Sequence, residues 1–161
     1  MERMQIMVVA QPQELVVFDS DARLERACEL IVDAGQAGAQ WVIFPEAYLP
    51  GVPAWLWTVP HDDALAHELH VLRLAAGITV PGAVCDRLCR FAQRSQVGIA
   101  IGLVERDNDT CYNSLLVIDA HGRICGHYRS MLSVATRSAV VATVPMQREQ
   151  MHVQPEWIGG I

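Results

Sequence analysis

The chain contains no lysine. All 12 of its basic residues are arginines, set against 18 acidic ones, and the net charge is -6 at pH 7. With an isoelectric point near 5.4 and no stretch basic enough to neutralise phosphates, nucleic acid and anionic membrane surfaces are excluded as partners. No apolar run is long enough to cross a bilayer. Met1-Glu2-Arg3-Met4 leads straight into a strand, without the basic region and separate apolar segment of a signal peptide. The cysteines are odd in number and irregularly spaced (Cys28, Cys85, Cys89, Cys111, Cys125). They do not form a disulfide framework and point to reduced thiols, hence to a cytoplasmic protein. Repeats, low-complexity tracts and linker-like segments are also missing. What remains is 161 residues with 52% hydrophobic content, enough for one domain around a buried sheet.

Taken in order, Ile6-Met7-Val8-Val9-Ala10 is a short apolar strand stopped by Gln11-Pro12. Leu24, Ala27, Cys28, Ile31 and Val32 then step at three and four among charged residues, which predicts an amphipathic helix. Asp19, Ser20 or Asp21 caps it, and Gly35 and Gly38 end it. Trp41 to Phe44 follow as a second strand, a strand-helix-strand order that favours parallel pairing. A helix is predicted over 61–76. Its His67-Glu68-Leu69-His70 lacks the His-Glu-x-x-His spacing of a zinc site and reads as a solvated face. After Val80-Pro81-Gly82 another helix carries Val84, Leu88 and Phe91, with Cys85 and Cys89 as small core residues. Residues 97–104 form a third strand, 105–109 a polar turn with Glu105 solvated, and 112–118 a fourth strand. A tight turn at Asp119-Ala120-His121-Gly122 joins it to 123–129 as a hairpin.

The chemistry centres on Trp41-Val42-Ile43-Phe44-Pro45-Glu46-Ala47-Tyr48. A run of strand formers ends at a proline, and a carboxylate follows at the strand's carboxyl end, where open α/β sheets bind ligands. Beside Phe44 and Tyr48, Glu46 is expected to be poorly solvated, which would raise its pKa and make it a general base. The competing reading, a helix cap or an arginine partner, fits the spacing equally well. Trp55 and Trp57, alternating after Gly51-Val52-Pro53, either line a substrate pocket with Tyr48 or pack the loop onto the core.

Phe44-Pro45-Glu46-Ala47 followed by Leu49-Pro50-Gly51-Val52-Pro53-Ala54-Trp55-Leu56-Trp57 resembles the first catalytic block of the nitrilases, a branch of the carbon-nitrogen hydrolase superfamily. The resemblance runs on through Gly102-Leu103-Val104-Glu105-Arg106, Tyr112-Asn113-Ser114-Leu115-Leu116-Val117-Ile118-Asp119 and Gly126-His127-Tyr128-Arg129. It implies an α/β fold, the amino-terminal part of the four-layer αββα sandwich of the nitrilases. It also implies hydrolysis of a nitrile to a carboxylic acid and ammonia by a Glu-Lys-Cys triad, with Glu46 as general base. The implied partner is a small nitrile or amide, with no cofactor and no metal. An amidase, carbamoylase or cyanide-hydrating relative is the alternative within the class, and a non-catalytic interaction chain the alternative outside it.

The resemblance fails over residues 130–154. Where the family has its catalytic lysine this chain has Ser130, and a neutral hydroxyl cannot replace a fixed cation beside a developing oxyanion. Pro155-Glu156-Trp157-Ile158-Gly159-Gly160-Ile161 resembles the family again, close to the strand that runs into its nucleophilic cysteine. None of the five cysteines holds that position. The expectation is a single, truncated domain over 1–161, inactive alone, whose uncovered sheet drives self-association into a homo-oligomer.

Overall fold

The computed structural model describes residues 4–10, 19–52, 59–60 and 63–130. Trp55, Trp57 and the segment after Ser130 lie outside them. Five strands form one sheet in the order β1-β2-β3-β4-β5: β1 (Ile6–Val8), β2 (Trp41–Ile43), β3 (Gly98–Asp107), β4 (Thr110–Ile118) and β5 (Ile124–Ser130). The first three strands are parallel and the last three antiparallel. The helices are α1 (Ser20–Gln36), α2 (Ala64–Ala76) and α3 (Ala83–Ser95).

Local chemistry sets these limits. Asp19 caps α1, its Oδ1 accepting from the Ala22 amide at 2.9 Å, and Asp63 does the same for Leu65 at the start of α2. That cap begins α2 at Ala64 rather than at residue 61. At the other end of α3, Gln96 turns into the left-handed region at φ 54°.

Leu24, Ala27, Cys28 and Ile31 of α1 and Cys85, Leu88 and Ala92 of α3 form the buried layer against one face of the sheet. Val42, Ile99, Ile101, Leu103, Leu116 and Ile118 meet them, each fully buried. Each such side chain contributes roughly 1.5–3 kcal/mol on leaving water.

Two expectations are corrected in the β3–β4 hairpin. β3 runs on to Asp107 and β4 starts at Thr110, so the turn is only Asn108 and Asp109, with Asn108 at φ 53°. Glu105 is therefore a strand residue, and it is fully buried rather than solvated. Its alternation decides this: 99, 101, 103 and 105 share the helix-facing side of β3, and a residue there is covered whatever its polarity.

The described residues leave the opposite face open. Ile6, Val8, Ile43, Leu115 and Tyr128, which the register places together on it, are between 38% and 73% exposed. A contiguous apolar surface of this kind promotes association. The 161-residue chain is expected to bind a hydrophobic dye and to sediment as an oligomer, and replacing Ile43 and Leu115 by threonine should weaken both. A chain that sediments as a monomer and ignores the dye would contradict this.

Candidate active site

Glu46 sits on an arch of backbone over β3. The Phe44 amide bonds to the Ala100 carbonyl at 2.8 Å, and pairing resumes at Leu49, whose amide reaches the Gly102 carbonyl at 3.3 Å. Between them, Pro45 to Tyr48 loop over Gly102. A Cβ at Gly102 would lie 2.4 Å from the Pro45 oxygen and 2.6 Å from the Glu46 Cα, so only glycine lets the arch close down. Ala47 makes the bend at φ 48°. Arg23 of α1 anchors the far side, its Nη1 donating to the Tyr48 carbonyl at 3.2 Å.

This arch divides its own side chains. Phe44 and Tyr48 turn toward the helices, rings 4.8 Å apart, and Tyr48 is fully buried in the core. Glu46 turns the other way and is exposed. The expected desolvation by the two rings is thus corrected: the arch, bent at Ala47, sends both rings into the core and leaves the carboxylate on the open face. There Asn113 of β4 donates from Nδ2 to Glu46 Oε1. Asn113 lies opposite Ser130 in the β4–β5 register and opposite Val104 in the β3–β4 register. Glu46, Asn113 and Ser130 therefore share one face, with Asn113 in the middle.

The other face holds a second polar group at the same end of the sheet. Glu105 Oε2 accepts from Ser114 Oγ at 2.6 Å and lies 2.7 Å from His127 Nε2, which carries the proton because a carboxylate only accepts. Its Oε1 takes Arg129 Nη2 at 2.6 Å and Nε at 3.0 Å. Arg129 reaches on to Asp107 Oδ2 at 2.8 Å and stacks on Tyr112, 4.7 Å from the ring centre. Burial pushes the Glu105 carboxyl up, but Arg129, Ser114 and His127 together outweigh it and hold its pKa below the usual carboxylate range. The pair raises the Arg129 pKa in turn. This clamp ties β5 to β3 across β4 one residue before Ser130.

Sequence reasoning named Glu46 and Ser130, and the structure brings both to the same face. It missed Asn113, Glu105 and Arg129. The available signal was Tyr112-Asn113-Ser114, three polar-tipped residues just before the apolar run Leu115 to Ile118 of β4.

Residues 6–157 match the pattern of the carbon-nitrogen hydrolases. Similar proteins include an arylacetonitrilase of Aspergillus oryzae, 34% identical over 120 residues, or 74% of this chain and 35% of that protein. A bifunctional nitrilase/nitrile hydratase NIT4B of Lupinus angustifolius is 34% identical over 123 residues, with the same shares. The chain belongs to the carbon-nitrogen hydrolase family, on its nitrilase branch. It spans about a third of the length of these relatives. Among solved structures, an amidase from Nesterenkonia sp. superposes with a TM-score of 0.54 at 18% identity, covering 79% of this chain and 42% of that one. The C. elegans NitFhit protein gives 0.53 at 16%, covering 78% and 26%. At such identities the match shows the fold, the amino-terminal part of the nitrilase architecture.

Two substitutions test this geometry. Gly102→Ala should destabilise the chain by about 1–3 kcal/mol, because the new methyl meets backbone that cannot step aside; an unchanged urea midpoint would refute the close approach. Glu105→Gln should cost about 1.5–3 kcal/mol at neutral pH, because the amide cannot accept from Ser114, His127 and both Arg129 nitrogens as the carboxylate does. Because the native pKa is depressed, this stability is fully present above the unfolded carboxylate pKa of about 4.3 and is lost as pH falls through the lower native value. Stability profiles of the wild-type and Glu105→Gln chains should therefore converge in acid, and parallel profiles down to about pH 2 would contradict the assignment.

Proposed function

We propose that this chain is the Glu46-bearing part of a nitrilase-type hydrolase, converting a nitrile and two waters to a carboxylic acid and ammonia. One observation carries the reading: Glu46 stands at the carboxyl end of β2, held by Asn113, with position 130 in register beside it. By the resemblance, Glu46 takes the proton of a cysteine thiol as its sulfur adds to the nitrile carbon. The nitrogen gains that proton in the resulting thioimidate. A first water then adds to this carbon and ammonia leaves, giving a thioester, and a second water releases the acid and returns the proton to the thiolate. The transition states place negative charge on nitrogen or oxygen, and a fixed cation beside them lowers the barrier.

This chain has Ser130 at the position of that cation, and no cysteine at the position of the nucleophile. A triad acts as a unit, so Glu46 alone should turn over nothing. We read residues 1–161 as a single incomplete domain, with 130–154 departing from the family pattern and with Tyr48, Trp55 and Trp57 as the aromatics to be weighed for its pocket. Burial of the Tyr48 ring in the core leaves the two tryptophans as the better pocket candidates. The amidase neighbours support a second reading, in which the intact site hydrolyses an amide instead.

The 161-residue chain is expected to release no ammonia from aliphatic or aromatic nitriles or amides. A full-length chain carrying the downstream cysteine and Ser130→Lys should release it, and adding Glu46→Gln should abolish that release without loss of the fold. Ammonia release by the short chain that survives Glu46→Gln would overturn both the role of Glu46 and the incomplete-domain reading.

A further inference from the structure

Helix α2 ends on a charge that nothing among the described residues answers. Arg73, in its last turn, is 3% exposed, and its Nε and Nη1 meet no hydrogen-bond partner among the described residues. The neighbourhood adds more positive charge. Arg106 lies opposite Cys111 in the β3–β4 register, and its Nη1 donates to the Leu74 carbonyl at 3.4 Å. His70, one turn before Arg73, has its pKa pushed down by burial and then by the Arg73 charge. Among the described residues neither arginine has an acidic side chain within ion-pair distance. Burial lowers the Arg73 pKa, yet a guanidinium stays charged at any working pH. A buried charge without a counter-charge is held only against a strong penalty.

Its position ties this charge to the candidate base. Cys111 feels the Arg73 charge and packs with Ala47 and Val104. Asn113, which donates to Glu46, lies two residues further along β4 on the same face, a step of about 7 Å.

We propose that Arg73, with Arg106 at its rim, is a subsite for a carboxylate carried by the substrate and seated beside Glu46. The proposal rests on Glu46 as the reacting centre and deepens that reading by naming the substrate class: small nitriles or amides that bear a carboxylate. The guanidinium fork matches the carboxylate's paired oxygens, and the burial of Arg73 strengthens the ion pair once it forms.

The test is binding, so it does not depend on turnover. The 161-residue chain is melted with increasing succinate, and in parallel with neutral succinamide, at ionic strength matched with sodium chloride. Succinate should raise the melting midpoint saturably and succinamide should not. Arg73→Met should weaken succinate binding about tenfold or more. It should also raise the ligand-free midpoint, because it fills the same space without a buried charge. Arg73→Lys should keep part of the succinate shift. Glu46→Gln should keep the shift too, which separates failure of this subsite from failure of the hydrolase reading. The proposal falls if wild type shows no saturable succinate shift, or if Arg73→Met shows an equal one. It also falls if Arg73→Met fails to fold or melts lower than wild type, since the charge would then already be answered within the chain.

Discussion

The compensation of one buried carboxylate organises the carboxyl half of this sheet. Glu105 has no access to water, so every bond it loses to solvent must be replaced by protein. Ser114, His127 and Arg129 supply those bonds from two other strands. Three strands are thereby locked into one register at the end where Glu46 stands. Arg129 sits at the outermost strand and is only partly covered. It therefore serves as the hinge pin between a buried anion and the exposed edge.

The sheet keeps its two tasks on opposite faces. Toward the helices lie the core and the Glu105 clamp; toward the open side lie Glu46, Asn113 and Ser130. For Asn113 and Ser130, strand alternation alone produces this division. Tyr112 and Ser114 belong to the clamp face, while Asn113 between them belongs to the site. The Glu46 arch reaches the same division by leaving strand alternation: the bend at Ala47 lets Phe44 and Tyr48 fill the core while the Glu46 carboxylate between them stays accessible to a reactant.

Local patterning was enough to read the strand-helix-strand unit, the α1 and α3 core faces and the tight turn from Asp119 to Gly122. It was also enough to put Glu46 at a strand's carboxyl end, because a proline and a carboxylate after an apolar run are local facts. The clamp was illegible for a definite reason. Glu105-Arg106-Asp107-Asn108-Asp109 has the composition of a turn, and the residues that bond the buried Glu105 carboxylate lie 9 to 24 positions away. Asn113 was read as one more strand residue for the same cause, since its partner is 67 positions earlier. The solvation of Glu46 was misjudged because adjacent aromatics in sequence point away from it in space.

The two-residue turn at Asn108 and Asp109 has a consequence for how this chain tolerates change in length. Because β4 carries clamp and site residues on alternate positions, adding or deleting one residue inside it would swap their faces. Asn113 would be driven among the helices, and its neighbours would take its place beside Glu46. Extra residues at the turn itself leave the pairing of Glu105 with Tyr112 and of Ser114 with Arg129 untouched. Natural length variation in this hairpin should therefore collect at its tip and be purged from its arms.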